Sequence, residues 1–255
     1  MYEKELALLR RVIPSIYESS KQRVKEIHFK GPDDMVTSSD LYIETKLIEA
    51  IKEVFVTDTF LTEEFHSKAT LGKRTWIIDP IDGTSNFGVG LNLFVIQLAL
   101  FEDNEIKLSV IYYPQEEKFY ESVLGEGAKL NGVSYQVLDL NTPQNPMVSM
   151  VGYTLKSTEK KYYQKLLDYS VSKGVKLRML GSIGLELSVA SKGIFTVFYT
   201  NVKNLWDLAP GVLLAKEAKA CLFNEKGEDY KLGDKHLFIT KTETLKEEIL
   251  KVINA

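Results

Sequence analysis

Cysteine is nearly absent from this chain: Cys221 is the single one, which excludes an internal disulfide and fits a reducing compartment. Its neighbours Ala218, Ala220, Leu222 and Phe223 are apolar, so the thiol reads as buried and structural rather than nucleophilic. Histidine is almost as scarce. His28, His66 and His236 are scattered without ligand spacing, which argues against a zinc hydrolase and places all three at the surface. The sequence has no G-x-S-x-G, no Walker lysine loop and no G-x-G-x-x-G, removing three common routes to hydrolysis and nucleotide binding. No apolar run approaches the roughly 20 residues that cross a bilayer. Met1 to Arg11 alternates charged with apolar residues and lacks a signal-peptide core. Acids and bases are interspersed and the net charge is −3, so neither nucleic acid nor an anionic membrane is expected as the main partner. The expectation is a soluble, cytoplasmic protein.

What is present is enough for one large domain or two lobes: 255 residues of ordinary apolar and charged content. Leu6, Leu9, Ile13 and Ile16 recur at helical spacing, predicting a first helix that is bent or interrupted near Pro14. A second helix carries Leu47, Ile48, Ile51, Val54 and Phe55 on one face, with Ser39 or Asp40 placed to cap it. The period then changes. Thr59 to Leu61, Thr75 to Ile78, Phe94 to Phe101, Lys107 to Tyr113 and Lys118 to Val123 are strand-like, predicting an antiparallel sheet. Asp139 to Pro146, with two prolines and two asparagines, is the candidate boundary between lobes 1–142 and 143–255. Beyond it strand and helix patterns alternate from Met147 to Ile253, as in a layered α/β lobe.

The strongest chemical signal is Trp76-Ile77-Ile78-Asp79-Pro80-Ile81-Asp82-Gly83-Thr84-Ser85-Asn86-Phe87. An apolar strand runs into two aspartates separated by Pro80 and Ile81, so both carboxylates stand at a strand end in a restricted relation. Oxygen ligands of this kind suit a hard cation such as Mg²⁺. If a helix begins after Gly83, the N–H groups of Gly83 to Ser85 form an anion site. Carboxylates for metal beside N–H groups for phosphate are what metal-assisted phosphoryl hydrolysis requires. The plain alternative for Asp79 and Asp82 is a helix cap or a turn.

This dodecamer resembles the first signature of the inositol monophosphatase family, within a superfamily that includes fructose-1,6-bisphosphatases and 3′-phosphoadenosine-5′-phosphate phosphatases. Three further segments match in order. Lys30 followed by Asp34-Met35-Val36-Thr37-Ser38-Ser39-Asp40 is similar to the family's K…DxVTxxD. Thr62-Glu63-Glu64 is similar to its GEE. Leu205-Trp206-Asp207-Leu208-Ala209-Pro210-Gly211 is similar to WDxAxG. The Gly125 to Gly132 hairpin and Gly181-Ser182 also resemble it, so the likeness spans essentially the whole chain. It implies a layered αβαβα sandwich of the α+β or α/β class, a homodimer, and a small-molecule phosphate monoester as substrate, hydrolysed by metal-activated water with two or three Mg²⁺ per site. It further implies that Glu63, Asp79 and the Ile81 carbonyl hold one metal, and Asp79, Asp82 and Asp207 a second. Thr84, oriented by Asp40, would take the water's proton, making Glu63, Thr84 and Asp40 the catalytic set. Gly83, Thr84 and Ser85 would hold phosphate with Lys30 nearby, and Gly181, Ser182 and Thr200 would contact substrate. Asp207 can equally be a helix cap, and Asp40 a cap rather than a relay.

Three departures qualify the likeness. Thr62 stands where the family has glycine, and Gly88-Val89-Gly90-Leu91-Asn92 replaces V-H-G-x-P. Thr200, followed by Asn201 and Lys203, stands where inositol phosphatases carry a hydroxyl-recognising glutamate seven residues before the signature aspartate. Loss of such a group weakens the case for inositol 1-phosphate itself. Two other readings stay open: a 3′-phosphoadenosine-5′-phosphate phosphatase, faintly favoured by Lys203 and Asn204-Leu205-Trp206-Asp207, and a regulatory protein that binds the transcription machinery.

Overall fold

The computed structural model describes residues 1–22, 26–31, 34–137, 146–152 and 160–255, and the side chains of Lys30 and Asp34 also lie outside it. The chain opens with α1 (Glu3–Lys21), then β1 (Ile27–Gly31) and β2 (Asp34–Thr37), an antiparallel hairpin. It continues through α2 (Ser38–Val54), β3 (Thr59–Thr62), β4 (Arg74–Asp82), the short α3 (Thr84–Gly88), β5 (Val95–Glu102), β6 (Glu105–Tyr113), β7 (Lys118–Val123), β8 (Gly127–Leu130) and β9 (Val133–Tyr135). Strands β3 to β9 form one seven-stranded sheet in chain order.

The remainder contains β10 (Met147–Val151), α4 (Lys161–Lys173), β11 (Lys176–Arg178), α5 (Ile183–Ala190), β12 (Val197–Thr200), α6 (Leu205–Glu217), β13 (Cys221–Phe223), β14 (Leu237–Thr240) and α7 (Glu243–Asn254). Its five strands are ordered β11-β10-β12-β14-β13, with β10 parallel to its two neighbours and β14 antiparallel to its own.

Apolar faces stack these parts into five layers. Leu9 and Ile13 of α1 and Ile43, Leu47 and Ile51 of α2 close over Trp76, Ile78, Leu98 and Leu108 of the larger sheet. On its other face Leu185 of α5 and Leu214 of α6 meet Val95 and Ile111. The same two helices bury Leu187, Leu208 and Ala215 against Phe198 and Ile239 of the smaller sheet. Its far face is covered by Leu166 of α4 and Ile249 and Ile253 of α7. The outer helices α1, α2, α4 and α7 each bury one stripe, whereas α5 and α6, held between the sheets, are buried on both sides. Truncating a fully enclosed Leu47 or Ile43 to Ala therefore costs about 2–5 kcal/mol.

Several expectations change in detail. α1 runs through Pro14 as one helix. The cap of α2 is Thr37, two residues before Ser39 and three before Asp40. The larger sheet is mixed, because β3 pairs parallel with β4. His236 is buried, its Nδ1 3.1 Å from the Tyr199 hydroxyl, rather than at the surface. Cys221 is only half-buried, and desolvation pushes its thiol up to about 11. The segment expected to bound the lobes, Asp139 to Pro146, lies outside the described residues except for Pro146. No helix among the described residues is long and apolar enough to cross a membrane.

Candidate active site

Strand β4 delivers two carboxylates from its C-terminal end. Residues three apart on a regular strand face opposite sides, yet Asp79 and Asp82 converge. The register against β5 shifts between them: Asp79 lies opposite Gln97 and Asp82 opposite Val95. Pro80 and Ile81 therefore share a single facing residue, a bulge that resets the alternation. Pro80 has no N–H for the ladder, so such a break suits it.

The third carboxylate arrives from the other end of the sequence. Asn204 is the N-cap of α6, so Asp207 sits inside the first turn, accepting from Asn204 Nδ2 at 3.0 Å. Asp79, Asp82 and Asp207 bring carboxylate oxygens within 4.8 Å of one another. Burial and mutual repulsion both oppose ionisation. Asp79 is raised well above the usual carboxylate range by burial, then by the charges of Glu63, Asp82 and Asp207. Asp207 is pushed up to about 7 by burial and by Asp82. Burial pushes Asp82 up to about 6, against four hydrogen bonds that favour its charge. All four come from the start of α5. Ser182 Oγ and Gly184 N (2.7 Å) donate to Asp82 Oδ2, and Ile183 N donates to Oδ1 at 3.1 Å. A carboxylate at a helix N-terminus is favourably placed, and here it also ties β4 to the start of α5.

The donor set fits a hard divalent cation. Every candidate ligand atom is oxygen, and Asp79 Oδ1 is buried with no hydrogen-bond partner among the described residues. Neutralising three crowded carboxylates is what such an ion would do.

Beside the triad the chain turns sharply. Gly83 has φ +96°, and a Cβ there would meet Leu93 O at 2.9 Å and the Ser182 side chain at 3.0 Å. α3 starts at the next residue, so the first-turn amides of Thr84 and Ser85 have no intrahelical acceptor. Thr84 Oγ1 lies 3.2 Å from Asp40 Oδ1 and 2.8 Å from the Ile81 carbonyl. Asp40 is fully buried, and its Oδ2 accepts from Thr37 N at 2.9 Å and from the Thr37 hydroxyl. Burial raises Asp40 while the Thr37 and Thr84 bonds oppose the rise.

Of the remaining candidates, Glu63 is half-buried and acts on Asp79 through its charge, but does not join the three-carboxylate group. Ser85 and Gly181 are exposed, and Ser182 is buried at the N-cap of α5. Thr200 is enclosed at the end of β12, its hydroxyl accepting from Val202 N at 3.3 Å. The Lys30 side chain lies outside the described residues.

The sequence reading missed four polar residues that hold these loops. Glu44, buried on α2, binds the Thr62–Phe65 turn. Gln97 Nε2 reaches Asp79 Oδ2 at 3.4 Å. Asn86 Nδ2 donates to Leu93 O and Leu180 O, each at 2.7 Å, lacing α3 to the 180–182 loop. Glu186 accepts from Leu180 N at 2.7 Å, Gly181 N at 3.1 Å and the Ser149 hydroxyl. The available signal was a lone polar residue within an apolar face or strand, as Glu44 stands between Ile43 and Leu47.

Comparison with known proteins follows the same outline. The model of the "Inositol monophosphatase family" matches residues 2–255. A "Fructose-1,6-bisphosphatase/inositol-1-monophosphatase" of Thermotoga maritima is 31% identical, over 91% of this chain and 88% of that protein. A "Nus factor SuhB" of Haemophilus influenzae is 32% identical, over 88% of this chain and 84% of that one. The solved structure of a Thermotoga maritima IMPase superposes with a TM-score of 0.84 at 27% identity, over 100% of this chain and 97% of that one.

Proposed function

This chain belongs to the inositol monophosphatase family of phosphoric monoester hydrolases, and we propose that it is a Mg²⁺-dependent phosphatase of a small sugar, polyol or inositol phosphate. The observation that carries the reading is the convergence of Asp79, Asp82 and Asp207 beside the amides and hydroxyl of the Gly83–Thr84 turn. In this reading Asp79, Asp82 and Asp207, with Glu63 and the Ile81 carbonyl, hold the metal ions. Residues 1–142 supply all of these but Asp207, which comes from 143–255 along with Gly181 and Ser182, the expected substrate contacts. Bound Mg²⁺ would polarise the phosphoryl oxygens and lower the pKa of an attacking water.

The chain's own residues supply the rest. The first-turn amides at Thr84 and Ser85, which lack an intrahelical acceptor, would orient the phosphate oxygens, and Gly83 lets the backbone come close. The Thr84 hydroxyl has one proton and two acceptors, Asp40 Oδ1 and Ile81 O. Donating to either leaves its lone pairs turned toward a water proton, and Asp40 is the base to which the proton can pass. Thr37 fixes Asp40 in that role. Thr200 places no carboxylate at the sugar-recognising position, so the substrate remains a class rather than one compound. The reading extends, as the family resemblance implies, to a cytoplasmic homodimer.

The test is phosphate release in Mg²⁺ from inositol 1-phosphate, fructose 1,6-bisphosphate, glycerol 2-phosphate, histidinol phosphate and 3′-phosphoadenosine 5′-phosphate. One sugar or polyol ester should be preferred, with Asp82→Asn at least about 100-fold slower. Preference for the nucleotide would move the chain to the nucleotide-phosphatase reading. Silence across the panel would favour the second reading, binding to the transcription machinery, which the similarity to proteins named Nus factor brings in. Co-purification with RNA polymerase that survives Asp82→Asn would support it.

A further inference from the structure

Resting on the metal-binding reading, the buried carboxylate next to Asp40 on α2 gains a role of its own. Glu44 lies one turn beyond Asp40 and is fully enclosed. A carboxylate in such a place survives only with partners. All of its described hydrogen bonds come from one four-residue turn. Thr62 Oγ1 and Phe65 N (2.9 Å) donate to Glu44 Oε1, and Glu64 N donates to Oε2 at 3.0 Å. Glu63, the residue between these anchors, is held by its own N–H to the Ile78 carbonyl at 3.2 Å, one residue before Asp79.

We propose that Glu44 is a positioning residue that fixes the Glu63 turn against β4 and so aims the Glu63 carboxylate at Asp79. The direction is consistent with the electrostatics: Glu63 is the largest charge acting on Asp79. Thr62 is the third anchor. Its hydroxyl donates to Glu44 and accepts from His66 N at 3.1 Å, closing the turn on itself. Thr62 is not among the residues with positive φ, so a side chain fits there without backbone strain. The hydroxyl thus adds a hydrogen bond that a glycine could not make.

Glu44 must be a carboxylate for this. Two N–H groups and one O–H converge on its two oxygens, and a glutamine would turn an N–H₂ toward at least one of those donors. Residues that orient a metal ligand typically change metal affinity by about 10–100-fold when replaced.

The experiment is calorimetric titration of the whole chain with Mn²⁺, without substrate, alongside thermal melting in chelator. Glu44→Gln should weaken Mn²⁺ binding by about 10-fold or more. Thr62→Val should weaken it several-fold, while Thr62→Ser, which restores the hydroxyl, returns it to within about two-fold of the parent. A purely structural role would lower the melting temperature and leave the Mn²⁺ constant of the folded protein unchanged, and that result overturns the proposal. Should Glu44→Gln fail to fold, the Thr62→Val and Thr62→Ser pair decides by the same readout. Absence of Mn²⁺ binding by the parent protein would instead overturn the metal-binding reading beneath it, an outcome distinct from a parent that binds and variants that match it.

Discussion

Asp82 and Asp207 stand in one cluster but do different structural work, and the difference is measurable. Asp82 accepts from Ser182 Oγ, Ile183 N and Gly184 N, so it is a strut between β4 and α5 as well as a charge. Asp207 accepts from the Asn204 side chain, and the helix it begins is capped by Asn204. Without divalent metal, Asp82→Ala strands three buried donors and should destabilise by about 2–3 kcal/mol. Asp207→Ala removes a repelling neighbour and should leave stability within about 1 kcal/mol of the parent. Urea unfolding in chelator checks both. A large loss for Asp207→Ala would show that its main work is to hold the start of α6.

At the scale of elements, the start of α2 is the clearest case of local chemistry reaching the site. Thr37 and Asp40 form a reciprocal capping box: the Thr37 hydroxyl accepts from Ser39 N and Asp40 N, and Thr37 N donates to Asp40 Oδ2 at 2.9 Å. Thr37→Ala should cost about 1 kcal/mol of stability and also lower turnover, because Asp40 loses the partners that keep it facing Thr84. Turnover equal to the parent's in a variant with a measurably lower melting point would separate the cap from the relay. This box also shows what the sequence could reveal. Thr37 stands three residues before Asp40, but Ser39 and Asp40 were the caps the pattern suggested, and only the chain's path from β2 selects Thr37. Long apolar strands and the larger helices were legible because their periodicity is strong. The three-residue β9 and β13 were missed, being too short to show alternation. The parallel pairing of β3 with β4 rests on non-local register, which periodicity does not encode. Within the site the acidic motifs stood out by composition. Glu44, Gln97, Asn86 and Glu186 did not, because their partners are backbone groups brought close only by the fold.

For the molecule as a whole, the buried acids predict an unusual response to pH. Asp82, Asp207 and Glu186 are pushed up to about 6, 7 and 7, chiefly by burial. A carboxyl raised in the folded state binds its proton more tightly folded than unfolded. Its stabilising contribution is therefore complete below the unfolded value of roughly 4 and is lost as pH rises through the folded value. Metal-free protein should melt at a higher temperature near pH 5.5 than near pH 8. Mg²⁺ should stabilise more strongly at the higher pH, because it competes with those protons. Melting curves in chelator and in Mg²⁺ across that range decide the matter, and a metal-free melting point that climbs toward pH 8 would contradict it. Glu186→Gln, which touches no proposed ligand directly, should flatten the metal-free profile.

The bonds of Asp82 reach residues 100 to 102 positions ahead of it, and Asp207 comes later still. A ribosome making this chain releases Asp79 and Asp82 long before it has made their companions. For much of its synthesis the growing polypeptide holds that pair of carboxylates without Asp207, so capture of the ion that Asp207 shares can reward only a chain that is nearly done. The first sheet has to form on its own apolar contacts, and the ion acts as a seal upon assembly rather than as its seed.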